Sequence, residues 1–279
     1  MSATPNAAAA GTITIGGDLT VNRLGYGAMR LTGPGIWGEP KDPQNARRVL
    51  QRALELGINF IDTADAYGPD VNERQIAQTL HPYPKGLVIA TKGGLIRPGR
   101  DQWERRASRA HLRQACEASL KRLRVERIDL YQLHAPDARV RVEDSVGELA
   151  KLQQEGKIRH IGVSNFSVAE LERVAGIANI VSVQNRYNAS DRHSDDVIAY
   201  CEQRKMAFIP WYPLAAGEHA GRDAGSDELN RIAKQHSMTP AQAALAWLLA
   251  RSPIMLPIPG TSSVAHLEEN VAAAGITLG

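Results

Sequence analysis

Short apolar runs alternate with amphipathic segments along almost the whole chain. The apolar runs have the length and composition of buried parallel strands and cover residues 23–27, 58–62, 87–91, 130–134, 160–164, 182–185, 207–210 and 254–257. Apolar residues at helical spacing follow over residues 45–56, 72–80, 109–123, 142–154, 168–175, 195–202, 240–250 and 264–273. Eight strand–helix units of this kind predict an α/β fold, a closed (β/α)8 barrel (TIM barrel), rather than an open sheet.

The chain ahead of the first unit predicts a separate small element. Residues 12–15 and 19–21 alternate in polarity and are joined by Gly16-Gly17-Asp18, which predicts a β-hairpin that caps one end of the barrel. Residues 1–11 lack a basic segment, so we expect a disordered tail and no signal peptide. Residues 12–279 show no linker-like change of composition, and we expect them to form a single domain.

Composition narrows the class of protein. A net charge of +3, from 33 basic and 30 acidic residues, is too small and too scattered to indicate nucleic-acid binding. No apolar run approaches the length of a membrane span. The two cysteines, Cys116 and Cys201, lie in different helical segments without metal-ligand spacing, so we expect reduced thiols and no metal site. These features predict a cytoplasmic protein that binds neither nucleic acid nor membranes, and we expect it to be a monomer.

The second predicted strand ends in Asp62, and Tyr67 follows in the turn before the next helix. Parallel α/β folds place their chemistry at the C-terminal ends of the strands, where both residues would lie. Each residue also has a purely structural explanation. Asp62-Thr63 would serve as a helix cap, and Tyr67-Gly68 as a packed turn.

The other predicted strands also end in polar or aromatic residues. Lys92 follows the third strand and His134 the fourth, while the later strands end in Ser164-Asn165, Gln184-Asn185, Trp211-Tyr212 and the segment 258–263. Taken alone, Lys92 is equally well explained as a surface lysine and His134 as a core histidine. Taken together they indicate a site, because independent accidents would not all fall at one barrel end. The loops 31–43 and 214–227 are long and should overhang this end, unless they are simply surface loops.

Five motifs occur in a fixed order along the chain: Asp-Thr-Ala-x-x-Tyr-Gly, Thr-Lys, Leu-His, Gly-Val-Ser-Asn-Phe and Ile-Pro-Gly-Thr. As a set, they resemble those of the aldo-keto reductases, which are nicotinamide-dependent barrel enzymes, and the resemblance runs from about Asn22 to Ala274. It is closest to bacterial reductases that carry Leu-Gly-Tyr-Gly-Ala-Met and Ile-Pro-Gly-Thr-Ser-Ser-Val-Ala-His-Leu, some of which act on pyridoxal. The resemblance implies an oxidoreductase that reduces a small carbonyl compound to an alcohol.

The resemblance implies a catalytic tetrad of Asp62, Tyr67, Lys92 and His134. Carbonyl reduction needs a hydride on carbon, which the cofactor carries, and a proton on oxygen, which Tyr67 would donate. We expect Lys92 to lower the pKa of Tyr67 from its usual value of about 10, and Asp62 to keep Lys92 charged. His134 would orient the carbonyl and support the negative charge that develops on its oxygen.

The resemblance also implies that the cofactor is NADPH, with NADH left open. Ser164, Asn165 and Gln184 would bind the nicotinamide carboxamide, and Trp211 would stack on the ring. The loop after the seventh strand would wrap the pyrophosphate, and the turn before the last helix would hold the adenosine phosphate. The full set of expected cofactor residues is Gly27, Ala28, Met29, Asp62, Ser164, Asn165, Gln184, Trp211, Tyr212, Leu214, Ala216, Gly217, Ile258, Gly260, Thr261, Ser262, Ser263, His266, Glu269 and Asn270.

Two departures from the family pattern bear on these expectations. Many aldo-keto reductases place Lys or Arg at the positions of Gly260 and His266, where they grip the ribose 2′-phosphate. Here a preference for NADPH over NADH would rest on the serines, the helix N-terminus and a partly charged His266. The chain also ends at Gly279, where relatives continue into another helix and a tail. We therefore expect either a truncated chain or a more open pocket.

Two other functions and the substrate stay open at this point. Some relatives are nucleotide-sensing binding subunits of membrane channels, and a barrel lyase would use Lys92 to form a Schiff base. For the substrate we predict a compact aromatic aldehyde, with pyridoxal as the best guess. Trp37 and Tyr212 would form apolar walls beside Tyr67 and His134. If Trp37 instead anchors its own loop, we expect a broad aldehyde reductase.

Overall fold

The computed structural model describes residues 4–214 and 224–278. Its strands, numbered in chain order, are β1 Thr12–Ile15, β2 Leu19–Asn22, β3 Tyr26–Gly27, β4 Phe60–Asp62, β5 Val88–Gly93, β6 Leu95–Ile96, β7 Glu104–Arg105, β8 Ile128–Leu133, β9 Ile158–Ser164, β10 Ile180–Gln184 and β11 Ala207–Phe208. Its α-helices are α1 Pro43–Glu55, α2 Val71–Leu80, α3 Arg109–Leu123, α4 Val142–Gln154, α5 Val168–Val174, α6 Asp195–Arg204, α7 Ala224–Gln235, α8 Pro240–Arg251 and α9 Val264–Ala272. Within these residues, no helix is long and apolar enough to cross a membrane.

Seven parallel strands form the barrel wall in the order β11-β10-β9-β8-β5-β4-β3, and an extended segment completes it. This segment covers the predicted eighth strand. On one side the Phe208 N–H donates to the Ile254 carbonyl, and on the other the Gly25 N–H donates to the Pro257 carbonyl, both at 2.9 Å. Pro257 and Pro259 have no N–H, which explains why the segment forms no regular ladder. The predicted (β/α)8 barrel is confirmed.

Alternate residues of each barrel strand face opposite sides, as the pleat of a strand requires. Ile61 and Ile89 face outward and belong to the large core between the strands and the surrounding helices. Phe60, Ala90 and Leu130 face inward and belong to a second buried cluster inside the barrel. Because helices cover the outer face and the barrel encloses the inner one, the strands are apolar on both sides.

The hairpin β1–β2 closes the end of the barrel opposite the C-terminal ends of the strands. Its residues Ile15, Leu19 and Val21 are buried and pack into the inner cluster. The hairpin runs antiparallel with Ile15 opposite Leu19. This confirms the predicted cap, which leaves the C-terminal end of the barrel as the open one.

The expected disordered tail is wrong for residues 6–10. Ala7–Ala10 form a 3-10 helix, and the Asn6 side chain caps it by accepting from the Ala8 N–H at 2.9 Å. Ala7 is fully buried, and its N–H donates to the Leu56 carbonyl at 2.8 Å. Four alanines bury little apolar area, so their composition did not indicate that they pack against the end of α1.

Two further elements were absent from the sequence-based prediction. α7 begins within the expected loop 214–227 and packs on α8 through Leu229 and Ala233. The strands β6 and β7 form a second small hairpin after β5, with Leu95 opposite Arg105. Strands of two residues are too short to give a recognisable pattern of alternation.

Candidate active site

A cavity of ≈ 520 Å³ lies at the C-terminal ends of the barrel strands, the end that the β1–β2 hairpin leaves open. Its size and its mixture of aromatic and polar walls suit an organic ligand. Its lining consists of Gly27, Met29, Arg30, Asp62, Tyr67, Leu95, Trp103, His134, Ser164, Asn165, Gln184, Trp211, Tyr212, Pro213, Leu214, Ile258 and Gly260.

Lys92 and Asp62 form a buried ion pair at the floor of this cavity. The two residues come from the neighbouring strands β5 and β4, and Lys92 Nζ donates to Asp62 Oδ1 at 2.5 Å and to the Thr63 carbonyl at 2.9 Å. Burial alone would lower the pKa of Lys92, but Asp62 and Tyr67 together hold it above its ordinary value. Lys92 is therefore a charged ammonium although its side chain is fully buried.

Tyr67 lies in the turn after β4, with its hydroxyl 3.4 Å from Lys92 Nζ. Burial raises the pKa of Tyr67, and the nearby Lys92 ammonium, which lowers it, offsets only part of that effect. The expectation of a lowered pKa for Tyr67 is therefore wrong. The phenol stays protonated at neutral pH and can donate its proton.

His134 follows β8 and meets the Tyr67 ring edge-on, with the ring centroids 5.8 Å apart. Burial, together with the positive charge of Lys92, holds the pKa of His134 well below its usual value. The imidazole is therefore neutral at pH 7 and carries one N–H that it can donate. Within the described part of the chain, its Nδ1 is buried and has no hydrogen-bond partner.

The second oxygen of Asp62 is held by two amides. Asp62 Oδ2 accepts from Gln184 Nε2 at 2.8 Å and from Gln132 Nε2 at 3.2 Å. Gln184 was expected from the sequence and lines the cavity, whereas Gln132 was not predicted as a site residue. The carboxylate thus receives three donors, which satisfies a charge that is otherwise costly to bury.

The ends of β8, β9 and β10 are tied together beside the cavity. Asn165 has a left-handed backbone (φ 60°), and its Nδ2 donates to the His134 carbonyl at 3.0 Å. Its Oδ1 accepts from the Trp211 indole N–H at 3.1 Å, while the Ser164 hydroxyl donates to the Gln184 carbonyl at 2.7 Å. These bonds fix the positions of the Trp211 ring and the Gln184 strand end relative to His134.

The expected cofactor residues fall into two groups. Those that line the cavity are Gly27, Met29, Asp62, Ser164, Asn165, Gln184, Trp211, Tyr212, Leu214, Ile258 and Gly260. Those that lie elsewhere among the described residues are Ala28, Thr261, Ser262, Ser263, His266, Glu269 and Asn270, while Ala216 and Gly217 lie outside the described residues.

Apart from Ala28, the residues of the second group lie in α9 or just before it. Ser263 caps this helix by accepting from the His266 N–H, and His266 itself is exposed on the first turn. Asn270 is buried, at 3% exposure, and its role in cofactor binding stays a prediction. Gly260 has no space for a side chain, because a Cβ would lie 2.8 Å from the Gly27 carbonyl oxygen. A lysine or arginine at position 260 would therefore require the backbone to move.

The aromatic wall of the cavity differs from the expected one. Trp37 is not among the described residues that line the cavity, and Trp103 lines it instead. The Trp103 ring meets the Tyr67 ring edge-on with centroids 6.5 Å apart, and the Arg97 guanidinium lies 3.8 Å from the Trp103 centroid and 5.5 Å from that of Trp37. A lone tryptophan in the polar loop after the Lys92 strand was the only sequence feature that pointed to Trp103. Arg30, Leu95 and Pro213 also line the cavity without having been predicted.

The cavity residues fit the nicotinamide end of a dinucleotide. The Trp211 indole offers a flat surface for a ring, and the Ser164 hydroxyl and Gln184 amide offer hydrogen bonds to a carboxamide. The neutral His134 and the protonated Tyr67 face the same space from the other strands. Parallel barrels place their chemistry at this C-terminal end, and the residues gathered here suit an oxidoreductase that reduces carbonyl compounds with a nicotinamide cofactor.

Comparison with known proteins identifies the family. Residues 23–279 match the sequence model of the aldo/keto reductase family, and the chain belongs to that family. It is 49% identical to an uncharacterised oxidoreductase from Schizosaccharomyces pombe over 99% of this chain and 89% of the relative. It is 42% identical to pyridoxine 4-dehydrogenase from Escherichia coli over 94% of this chain and 92% of the relative.

A solved structure extends the comparison to the cofactor. An aldo/keto reductase from Klebsiella pneumoniae, solved in complex with NADP and acetate, superposes with a TM-score of 0.80 at 26% identity. The alignment covers 96% of this chain and 91% of that structure. The protein is thus an oxidoreductase of the aldo/keto reductase family, and it shares its fold with a reductase that binds NADP.

Proposed function

We propose that Asp62, Tyr67, Lys92 and His134 together perform the NADPH-dependent reduction of an aldehyde or ketone to an alcohol. The observation that carries this proposal is the buried Lys92, which lies within hydrogen-bond reach of both Asp62 and Tyr67 at the cavity floor. NADPH, when bound, supplies the hydride. The four protein residues then have to orient the carbonyl and deliver one proton to its oxygen.

Tyr67 delivers this proton. Its phenol is protonated in the free protein, so the O–H hydrogen is available when negative charge develops on the carbonyl oxygen. The phenolate that remains is stabilised by the Lys92 ammonium 3.4 Å away. The neutral His134 donates its N–H to the same oxygen and supports the developing charge without adding a proton of its own.

Gln184 and Ser164 orient the nicotinamide ring. Because the Gln184 Nε2 donates to Asp62, its Oε1 is the atom left to accept from the carboxamide N–H. The Ser164 hydroxyl donates to the Gln184 carbonyl and accepts from Asn165 Nδ2, which leaves one lone pair that would accept from the same group. Trp211 packs on the ring, held at its indole N–H by Asn165.

Replacing the phenol tests this assignment. In Tyr67→Phe we expect carbonyl reduction to fall by about two to four orders of magnitude, which is the usual effect of removing a positioned acid. The Kd for NADPH, measured by fluorescence titration, should barely change. Tyr200→Phe, a phenol outside the cavity, is the control. Turnover within tenfold of the parent in Tyr67→Phe would show that the proton donor is another group.

The two other functions left open by the sequence are less well supported. A Schiff-base lysine must lose its proton to attack a carbonyl, whereas Asp62 holds Lys92 in the charged form. Irreversible borohydride trapping of a carbonyl compound without nucleotide would favour a lyase. A nucleotide-sensing subunit would bind NADPH without sustained turnover, so multiple turnovers with a simple aldehyde distinguish it from an enzyme.

For the substrate we propose a compact aromatic aldehyde. The Trp103 side chain is fixed as a cavity wall, because Arg97 lies against its ring and donates to the carbonyls of Gly35 and Ile36 at 3.0 and 2.8 Å. A flat ring fits beside this indole with its aldehyde directed at Tyr67. Pyridoxal is the best single candidate, since the relative from Escherichia coli is named pyridoxine 4-dehydrogenase.

A panel of aldehydes tests the substrate proposal. We expect kcat/KM for pyridoxal to exceed that for 4-nitrobenzaldehyde and methylglyoxal. Trp103→Ala should lower the preference for pyridoxal about 10- to 100-fold, the range that one lost apolar contact surface accounts for. Trp37→Ala is the matched control, because this indole contacts Arg97 from outside the cavity lining. Should pyridoxal rank no higher than the other aldehydes, the protein is a broad aldehyde reductase.

A further inference from the structure

We propose that Gln132 is a positioning residue that holds the Asp62 carboxylate in the orientation required for proton transfer. This inference rests on the tetrad proposed above and adds a residue that touches neither the cavity nor the expected ligand. Gln132 lies on β8, its side chain is fully buried inside the barrel, and its Nε2 is 3.2 Å from Asp62 Oδ2.

The strand register places Gln132 beside the tetrad. It is the direct neighbour of Lys92 on β5 and of Gly162 on β9. A Cβ at Gly162 would lie 2.9 Å from Gln132 Cγ and 2.4 Å from the Ser182 hydroxyl. The absence of a side chain at Gly162 therefore provides the space in which a long amide can reach across the barrel to Asp62.

The Asp62 carboxylate makes two contacts that both depend on its orientation. Oδ1 pairs with Lys92, while Oδ2 accepts from Gln184, which lines the cavity. Rotation of the carboxylate would disturb both contacts at once. Gln132 is the donor to Oδ2 that is independent of any ligand, because it is not among the described residues that line the cavity. It therefore fixes the carboxylate in the free enzyme and throughout the reaction.

Removing the amide tests whether this contact matters for chemistry. In Gln132→Met, which keeps the length of the side chain but has no donor, we expect kcat to fall about 10- to 100-fold through misplacement of Lys92 and Tyr67. The Kd for NADPH and the melting temperature should stay close to the parent values. Ser182→Ala is the matched control, since Ser182 is equally buried on the other side of Gly162, on β10, and its hydroxyl has no partner among the described residues.

A second variant separates positioning from packing. Gln132→Glu keeps the shape of the side chain but sets two carboxylates against each other at neutral pH, so kcat should be low there. Other charged or titratable groups that face this pair are Lys92, Tyr67 and His134, of which only Lys92 carries a charge at neutral pH. At acid pH the carboxylate pair can share one proton and regain a donor, so the ratio of the variant's kcat to that of the parent should rise as the pH falls.

The outcomes distinguish the proposals from one another. Parental kcat in both variants across pH 5 to 8 would overturn the positioning role of Gln132. Equal losses of kcat, NADPH binding and stability, without recovery of Gln132→Glu at acid pH, would also overturn it and show a packing role. An active Tyr67→Phe variant would instead overturn the tetrad itself, whatever the result at Gln132.

Discussion

The interior of this barrel changes character along β4, β5 and β8, from apolar at the hairpin end to polar at the cavity end. On β4 the inward residues are Phe60 and then Asp62, and on β5 Ala90 is followed by Lys92. On β8 the same step leads from Leu130 to Gln132. All of these residues are buried, so the two halves differ in chemistry rather than in access to water.

The lower half of the barrel interior therefore stabilises the fold, whereas the upper half holds charged and polar groups that add little stability. Burial of apolar side chains in the lower half contributes about 25 cal/mol per Å2 to stability. In the upper half, a buried ammonium and carboxylate recover at most what their desolvation costs, so their presence is explained by chemistry and not by stability. Substitutions should therefore separate stability from activity according to the half in which they fall.

The largest effects should come from removing one buried side chain from each half of the barrel interior. Phe60→Ala in the lower half should lower the free energy of unfolding by about 3–5 kcal/mol and leave the turnover of folded protein nearly unchanged. Lys92→Met should abolish turnover and destabilise the fold by a similar amount, because Asp62 is left as an uncompensated buried charge. Denaturant unfolding and steady-state kinetics on the same samples would measure both effects.

A double variant sharpens this result. Asp62→Asn combined with Lys92→Met removes both charges, so we expect stability equal to or above that of Lys92→Met alone while turnover remains absent. A double variant less stable than Lys92→Met would show that the ion pair contributes net stability, which would contradict the division between the two halves.

The effect of pH on stability should be intermediate in size. The folded-state pKa of His134 is far below the unfolded value of about 6.5, so its neutral form is favoured on folding. Its contribution is fully present above pH 6.5 and is lost as pH falls below that value, because the unfolded chain then binds the extra proton. Between pH 7 and pH 5, the melting temperature of the parent should therefore fall by about 2–4 °C more than that of His134→Gln. His236→Gln, at an exposed side chain after α7, is the control.

The smallest effect should occur at the rim, where the polar end of the barrel continues to the N-terminus of α9. His266 is exposed there, and Gly260 leaves no space for a side chain. His266→Arg should tighten NADPH binding by roughly three- to tenfold and leave NADH binding unchanged, because a guanidinium grips a 2′-phosphate in a fork. Equal NADPH affinity in parent and variant would exclude a phosphate contact from this position.

The hydrophobic pattern predicted most of the fold because barrel strands and their helices are encoded locally. The helices Arg109–Leu123 and Val142–Gln154 have the predicted bounds, since their apolar spacing begins and ends within the segment itself. The failures have an equally physical cause. Ala7 is positioned by packing against a distant segment, which no local pattern records, whereas α7 has an amphipathic pattern of its own and was overlooked beside a segment interpreted as a loop.

For the candidate site, the sequence by itself determined which residue types end each strand and therefore which groups a closed barrel gathers at one end. Asp62, Tyr67, Lys92 and His134 could be named because strand ends are local and parallel strands end on the same side. Only the tertiary structure decided how these groups behave. The pKa of Tyr67 is raised rather than lowered, Trp103 and not Trp37 forms the wall, and Gln132 reaches Asp62. Each of these depends on burial depth or on distances between strands far apart in sequence, which exist only once the barrel has closed.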